Sequence, residues 1–212
     1  GMPYDTLQDI IGWGEGDAPV GSLREMGVSF HPVALRGGKI DLDAVENAIT
    51  PKTKLVIAQR SRGYDWRPSL MPEEFAPLAK MLHEKHPGVR LMVDNCYGEF
   101  VCEKEPSHYG ADVCVGSLIK NPGGGLAPTG GYIVGTQDAV ERIAYRLTAP
   151  GIGQEVGSYA ASYQPFYQGL FMAPHTVAQA IKTACLAARV FEILGMTTTP
   201  AADEPRADII QA

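Results

Sequence analysis

Four short apolar segments, separated by amphipathic stretches, constrain the fold of this chain more than any other feature of its sequence. The first segment, Leu55–Gln59, is a continuous apolar run typical of a buried parallel strand. Three more follow at residues 89–95, 111–117 and 130–136. Helical patterns lie between and after them, at residues 70–86 and 139–147. This alternation predicts an α/β layered domain with a mostly parallel sheet.

Elements before and after this core are also predicted from local patterns. Residues 28–35 form an apolar run that predicts a short strand, and residues 41–49 are predicted to be a helix with Asp41 as its N-cap. Residues 151–171 show no clean period and are expected to be irregular or partly helical. The clearest helical period covers residues 176–194.

Domain organisation follows from where these patterns stop. Residues 1–195 are predicted to form the central part of one large domain. Residues 196–212 are rich in Thr, Pro, Ala and acidic residues, and they are expected to be a linker toward a small C-terminal domain.

Composition excludes several classes of function. A formal net charge of −6 and a pI near 5.4 provide no basic field for nucleic acid. No apolar run reaches the roughly 18–20 residues needed to cross a bilayer, so no membrane partner is expected and a cytoplasmic protein is predicted. The four cysteines and five histidines show no metal-ligand or disulfide spacing, so no metal site is expected.

Candidate chemistry is concentrated where the predicted strands end, because ligands of open α/β sheets bind beyond the carboxyl ends of the strands. Asp94 ends the second strand, and Ser117 ends the third, three residues before Lys120 in a Gly-rich loop. A pyridoxal 5'-phosphate (PLP) site requires a carboxylate for the protonated ring nitrogen, a lysine amine, and small side chains that donate hydrogen bonds to the phosphate. Each residue alone also fits a simpler role: Asp94 as a turn former and Lys120 as a solvated charge.

Several strings together resemble the methionine gamma-lyase-like family, which includes the aluminium-resistance and cystathionine beta-lyase-like proteins. They are QRSRGYDWRPSL (59–70), VDNCYGEF (93–100), GADVCVGSLIKNPGGGLAPTGGYI (110–133), RLTAPGIGQEVG (146–157) and QGLFMAPH (168–175). The resemblance implies a three-layer α/β sandwich, the large domain of PLP enzymes of fold type I related to aspartate aminotransferase. Members are longer than this chain, so we expect an incomplete large domain without the N-terminal phosphate cradle or the C-terminal arginine for the substrate carboxylate.

Specific roles are implied by the same resemblance. Lys120 is expected to form the internal aldimine with PLP, Asp94 to hold the pyridine nitrogen and Ser117 to contact the phosphate. Either Arg62 or Gln59 is expected near the ring hydroxyl, with the choice open. Tyr97 is a further expected cofactor contact.

The implied activity is carbon–sulfur bond cleavage in a sulfur-containing amino acid, by β- or γ-elimination, which releases a thiol, a keto acid and ammonia. A homodimer or homotetramer with shared active sites is expected. Two alternatives stay open: another PLP enzyme of fold type I, such as an aminotransferase or cysteine desulfurase, and a non-catalytic truncated homologue that serves as an oligomerisation module.

Overall fold

The computed structural model describes residues 3–147 and 149–212 of the chain. These residues divide into two compact units, residues 1–53 and residues 54–212. Each unit is described separately below.

The first unit contains two short helices joined by irregular chain. Helix α1 spans Asp5–Ile11 and ends at Gly12, whose φ of 78° is readily adopted only by glycine. Helix α2 spans Leu42–Ala48, and the Asp41 carboxylate accepts a hydrogen bond from the Ala44 amide as predicted for an N-cap. The strand predicted over residues 28–35 is wrong, because no ladder pairs with this extended segment in the described part of the unit.

A four-stranded sheet organises the second unit. Its strands are β1 (Leu55–Gln59), β2 (Arg90–Asp94), β3 (Val113–Ser117) and β4 (Gly131–Gly135). They lie in the order β1-β2-β3-β4, with the first two pairs parallel and the last antiparallel. All four predicted strands and the mostly parallel sheet are therefore confirmed.

The two faces of this sheet differ in burial. Leu91 and Val93 of β2 are fully buried, whereas Met92 and Asp94, which alternate with them, are only half-buried. Strand β1 was expected to be buried, but Leu55 is 48% exposed because β1 is an outer strand of the sheet.

The helical segment predicted between β1 and β2 is present and contributes to the core. A 3₁₀ turn over Pro72–Phe75 leads into helix α3 (Ala76–Lys85), which ends at His86. Their core side chains are Phe75, Leu78 and Leu82, each at most 1% exposed. Burial of side chains of this size contributes about 1.5–3 kcal/mol each.

Two further helices follow the sheet. Helix α4 spans Gln137–Ala144, so it begins two residues before the predicted region of 139–147 and ends three residues before its end. Helix α5 spans Gln164–Ile193, so it begins twelve residues before the predicted start at residue 176. The apolar period did not extend across Pro174, but a proline inside a helix removes only one backbone hydrogen bond and need not end it. Among the described residues, no helix combines the length and apolarity needed to cross a membrane.

Glycines allow α5 to approach the loop that follows β3. A Cβ at Gly169 of α5 would collide with the Gly123 carbonyl, and one at Gly124 would collide with the Gly169 carbonyl. Gly123 is itself buried. The Gly-rich run after Lys120 is therefore a packed contact rather than a flexible connection.

The segment predicted to be a linker packs against the rest of the second unit, where the Ile209 amide donates to the Tyr97 carbonyl at 3.1 Å. Thr199 and Ala212 exchange backbone hydrogen bonds of 2.8 and 3.0 Å, and Asp208 is 1% exposed. Whether residues 196–212 also lead to another domain stays a prediction.

We predict that Gly169→Ala destabilises the protein, although alanine normally stabilises a helix interior by about 0.5–1 kcal/mol relative to glycine. The added methyl group would force α5 away from the Gly123 carbonyl. Overpacking of this kind costs about 1–3 kcal/mol in the free energy of unfolding. Urea denaturation measures it, with Gln168→Ala on an exposed position of α5 as the control. A more stable G169A protein would contradict the close contact.

Candidate functional site

The carboxyl ends of β1, β2 and β3 meet at one edge of the sheet. Gln59 pairs in register with Asp94, and Asp94 pairs with Val115 of β3. Partners in a parallel register share a face, so Gln59, Asp94 and then Ser117, two residues beyond Val115, project from the same half-buried face. The structure therefore brings three of the residues predicted from sequence to one edge.

Asp94 lies at the centre of this edge. Its carboxylate accepts a hydrogen bond of 3.1 Å from the backbone amide of Cys96, which fixes the start of the following loop. Burial, followed by the nearby Asp94 charge, raises the pKa of Cys96 to about 11. Cys96 is thus a thiol at neutral pH, and this agrees with a packing role rather than a nucleophilic one.

Lys120 follows β3 through a tight turn. Its backbone amide donates to the Ser117 carbonyl at 3.3 Å, and the Ser117 hydroxyl accepts from the Ile119 amide at 3.3 Å. The Lys120 Nζ lies 4.4 Å from the centroid of the Tyr97 ring. Lys120 and Tyr97, predicted from different strand exits, are therefore neighbours in space.

The amine of Lys120 is held in its protonated form. Partial burial lowers the pKa of Lys120, but interactions with the neighbouring Cys96, Tyr97 and Asp94 outweigh that effect and raise it above the ordinary value. Lys120 is consequently an ammonium group at neutral pH and must lose a proton before it can attack a carbonyl.

Gln59 and Arg62, the two candidates for contact with the ring hydroxyl, have different environments. The Gln59 Nε2 donates to the Ser61 carbonyl at 3.0 Å, and its Oε1 is buried without a hydrogen-bond partner among the described residues. The Arg62 guanidinium is 2% exposed and donates to the Thr199 carbonyl at 2.7 Å and the Asp65 carbonyl at 3.1 Å. Arg62 thus anchors the C-terminal segment, whereas Gln59 stands beside Asp94.

Asn121, directly after Lys120, was not identified from the sequence. Its side chain is 6% exposed, and its Nδ2 donates to the backbone carbonyls of Tyr97 and Glu99, each at 3.0 Å. One amide group therefore ties the loop that carries Lys120 to the loop that follows Asp94. No spacing or composition signal in a single sequence separates such an asparagine from an ordinary loop residue.

A buried polar network on the opposite face was also missed. Arg60 is fully buried and donates to Asn95 at 2.8 Å and to Glu105 at 2.9 Å. Gly98 leaves room for it, because a Cβ there would lie 2.6 Å from the Arg60 Nη1. The network supports the loop after β2 from the face opposite Asp94. A fully buried arginine is rare unless it is paired.

Glu99 continues this network through Tyr132. Asn95 donates to the Tyr132 hydroxyl at 3.2 Å, which in turn donates to Glu99 Oε1 at 2.9 Å. Burial raises the pKa of Glu99 to about 7, although hydrogen bonds from its own backbone and from Tyr132 act in the opposite direction. Glu99, whose raised pKa is near neutral pH, therefore lies on the face opposite the candidate site.

The residues at this edge fit the groups of PLP chemically. Asp94 offers a carboxylate to a ring nitrogen, and the unpaired Oε1 of Gln59 offers an acceptor beside it. Lys120 supplies the amine, and Ser117 supplies a hydroxyl at the end of β3. The same four groups would also suit other small molecules with an electron-poor ring and an aldehyde, since they recognise those chemical groups rather than one particular molecule.

Comparison with known proteins places this fold in the class of α/β proteins related to carbon–sulfur lyases. A family model described as methionine gamma-lyase matches residues 1–212. The chain belongs to the methionine gamma-lyase family.

Three relatives illustrate the likeness. The uncharacterized protein YnbB of Bacillus subtilis is 50% identical over 100% of this chain and 50% of its own length. A carbon-sulfur lyase involved in aluminum resistance from Clostridium novyi superposes with a TM-score of 0.92 at 45% identity, over 100% of this chain and 50% of that one. Cystathionine gamma-lyase from Lactobacillus plantarum, at 22% identity and a TM-score of 0.60 over 83% of this chain and 43% of that one, shares the fold alone. The chain spans about half the length of the first two of these relatives.

We predict that Glu99→Gln changes how stability depends on pH. The folded pKa of Glu99 is raised from 4.5 to about 7, so its contribution to the free energy of unfolding is complete below the lower value and is lost as the pH rises through 7. Glutamine, which is always neutral, should match glutamate near about pH 5 and exceed it by about 2–3 kcal/mol near about pH 8.

Urea denaturation at the two pH values measures this difference, and the exposed Glu103→Gln serves as the control. If E99Q changes the free energy of unfolding by the same amount at both pH values, Glu99 is already ionised in the folded protein at the lower pH, which would contradict the prediction.

Proposed function

We propose that this chain is the central part of the PLP-binding large domain of a fold type I carbon–sulfur lyase, and that Lys120 carries the cofactor. One observation supports this most strongly: Asp94 and the loop of Lys120 leave adjacent parallel strands at the same sheet edge. Membership of the methionine gamma-lyase family adds support. A cytoplasmic homodimer or homotetramer with shared active sites belongs to the same proposal.

Each residue at the edge has a proposed task. Asp94 keeps the pyridine nitrogen protonated through a charge-assisted hydrogen bond. Ser117 donates to the phosphate from the end of β3. Gln59, rather than Arg62, accepts from the ring hydroxyl, because Gln59 pairs directly with Asp94 at the sheet edge, whereas Arg62 bonds the C-terminal segment at Thr199 and keeps only its Nη2 unpaired among the described residues. The Tyr97 ring lies beside the amine of Lys120.

The proposed reaction removes the sulfur group of an amino acid as a thiol. Bound PLP supplies an electron sink for the negative charge that develops at the substrate Cα. The amine of Lys120, in its neutral form, would take the proton from Cα as a general base. Asp94 sustains the process by keeping the ring nitrogen in its protonated form. Departure of the thiol leaves an enamine of the amino acid, which water converts to a keto acid and ammonia.

We predict that PLP attaches covalently to Lys120. Borohydride reduction of the protein mixed with PLP should make the attachment permanent, and peptide mass mapping should locate it on the fragment that contains Lys120. Attachment should be faster at higher pH, because the raised pKa of Lys120 leaves little neutral amine near neutral pH. Lys120→Ala should abolish the adduct, whereas Lys104→Ala, at an exposed position, should not.

An adduct spread over surface lysines, or one that persists in the K120A protein, would contradict the assignment. A folded protein that takes up no PLP at all would favour the non-catalytic module instead.

We predict thiol release from at least one of cysteine, cystathionine and methionine by the PLP-loaded protein, with keto acid formed in equal amount. Asp94→Asn removes a charged hydrogen bond worth about 1.5–3 kcal/mol, so turnover should fall roughly 10- to 100-fold. Asp203→Asn, at an exposed position, is the control. Full turnover by the D94N protein would contradict the role of Asp94, and amino-group transfer without thiol would indicate an aminotransferase.

A further inference from the structure

The ring of Tyr97 and the amine of Lys120 form a contact that the proposed chemistry does not itself require. The Lys120 Nζ lies 4.4 Å from the ring centroid, within the range of about 6 Å over which an ammonium group is attracted to an aromatic face. A lysine side chain has four rotatable bonds, and the ring and the Cys96 side chain are the neighbours that restrict this half-buried one.

The backbone of Tyr97 is held in a conformation that non-glycine residues rarely adopt. Its φ is 69°, in the left-handed region, which costs of order 1 kcal/mol or more. Two hydrogen bonds to its carbonyl oppose that cost: one from Asn121 Nδ2 at 3.0 Å and one from the Ile209 amide at 3.1 Å. The position of the ring is thus fixed by the residue next to Lys120 and by the C-terminal segment.

Asn121 links the ring and the amine more closely than its position in the sequence suggests. It follows Lys120 directly, and the same Nδ2 also donates to the Glu99 carbonyl. Movement of the Lys120 loop would therefore break both hydrogen bonds, and the loop that carries Tyr97 would lose its support.

We propose that Tyr97 is a positioning residue whose ring holds the Lys120 side chain in its ammonium form, before the cofactor is bound and after the amine has taken a proton, and that Asn121 holds the ring in place. The inference deepens the proposed function and rests on it. A lysine amine held against the Tyr97 ring would stay at the sheet edge near Asp94 instead of moving into water. The same contact would keep the Lys120 amine close to the site for the next catalytic cycle.

A test must separate the ring from the other charges near Lys120. The titratable groups that act on its amine are Cys96, Tyr97 and Asp94. Replacement of tyrosine removes the phenol as well as the ring, so the wild type is not the right reference. Tyr97→Phe and Tyr97→Leu both lack the hydroxyl, keep Cys96 and Asp94, and differ only in the aromatic face.

The measurement is the pKa of Lys120 in the protein without cofactor, obtained by competitive labelling with trace acetic anhydride across pH and peptide mass analysis. Because an aromatic face stabilises the cation, the pKa in the Y97L protein should be lower than in Y97F by about 0.5 to 1 pH unit. Equal pKa values in the two variants would overturn the proposal. If Y97L does not fold, Tyr97→Met provides the same comparison.

Asn121 is tested in the same two backgrounds. Asn121→Ala should lower the pKa of Lys120 when added to Y97F, and it should have no further effect when added to Y97L, because its action passes through the ring. Equal decreases in both backgrounds would overturn the role of Asn121. If the alanine variants do not fold, Asn121→Ser replaces them.

The labelling experiment contains no PLP, so its outcome is independent of borohydride trapping. Trapping on Lys120 together with equal pKa values in Y97F and Y97L would leave the proposed function intact and would overturn the positioning role of Tyr97. Unequal pKa values without trapping of PLP would support the contact between the Tyr97 ring and the Lys120 amine, and they would contradict the proposed function.

Discussion

Parallel pairing of β1, β2 and β3 is the constraint on which the rest of the site depends. Since the strands run in the same direction, their carboxyl ends meet, and residues far apart in sequence reach one edge. The register then decides which side chains share a face, and it places Gln59 beside Asp94. A shift of one residue in β2 would turn Asp94 to the opposite face, toward the position now held by Asn95.

The two faces of the sheet contribute in different ways. On one face the fully buried Arg60 binds Asn95 and Glu105, and this network supports the loop after β2. On the other face Asp94 is only half-buried. The hydrogen bonds made by Arg60 help to position the loop after β2, which carries Tyr97, although Arg60 Nε and Glu99 Oε2 are buried without a hydrogen-bond partner among the described residues.

Sequence patterns predicted much of the fold, because short apolar strands and capped helices carry strong local signals. They placed the four strands and pointed to Asp94, Ser117 and Lys120 as neighbours at the strand ends. They failed where tertiary contacts decide the outcome. Residues 28–35 resemble a strand but join no strand ladder among the described residues, and helix α5 continues through Pro174. Neither the anchoring of the C-terminal segment by Arg62 nor the link made by Asn121 leaves a trace in spacing.

A crystal structure of this chain grown with PLP would test the central claim most directly. The account predicts continuous density from the Lys120 Nζ to the aldehyde carbon of the cofactor, with an Asp94 oxygen within hydrogen-bond distance of the pyridine nitrogen, about 2.7–2.9 Å. Ser117 should contact the phosphate. Cofactor bound elsewhere, or a ring whose nitrogen faces away from Asp94, would contradict the assignment of this sheet edge as the site.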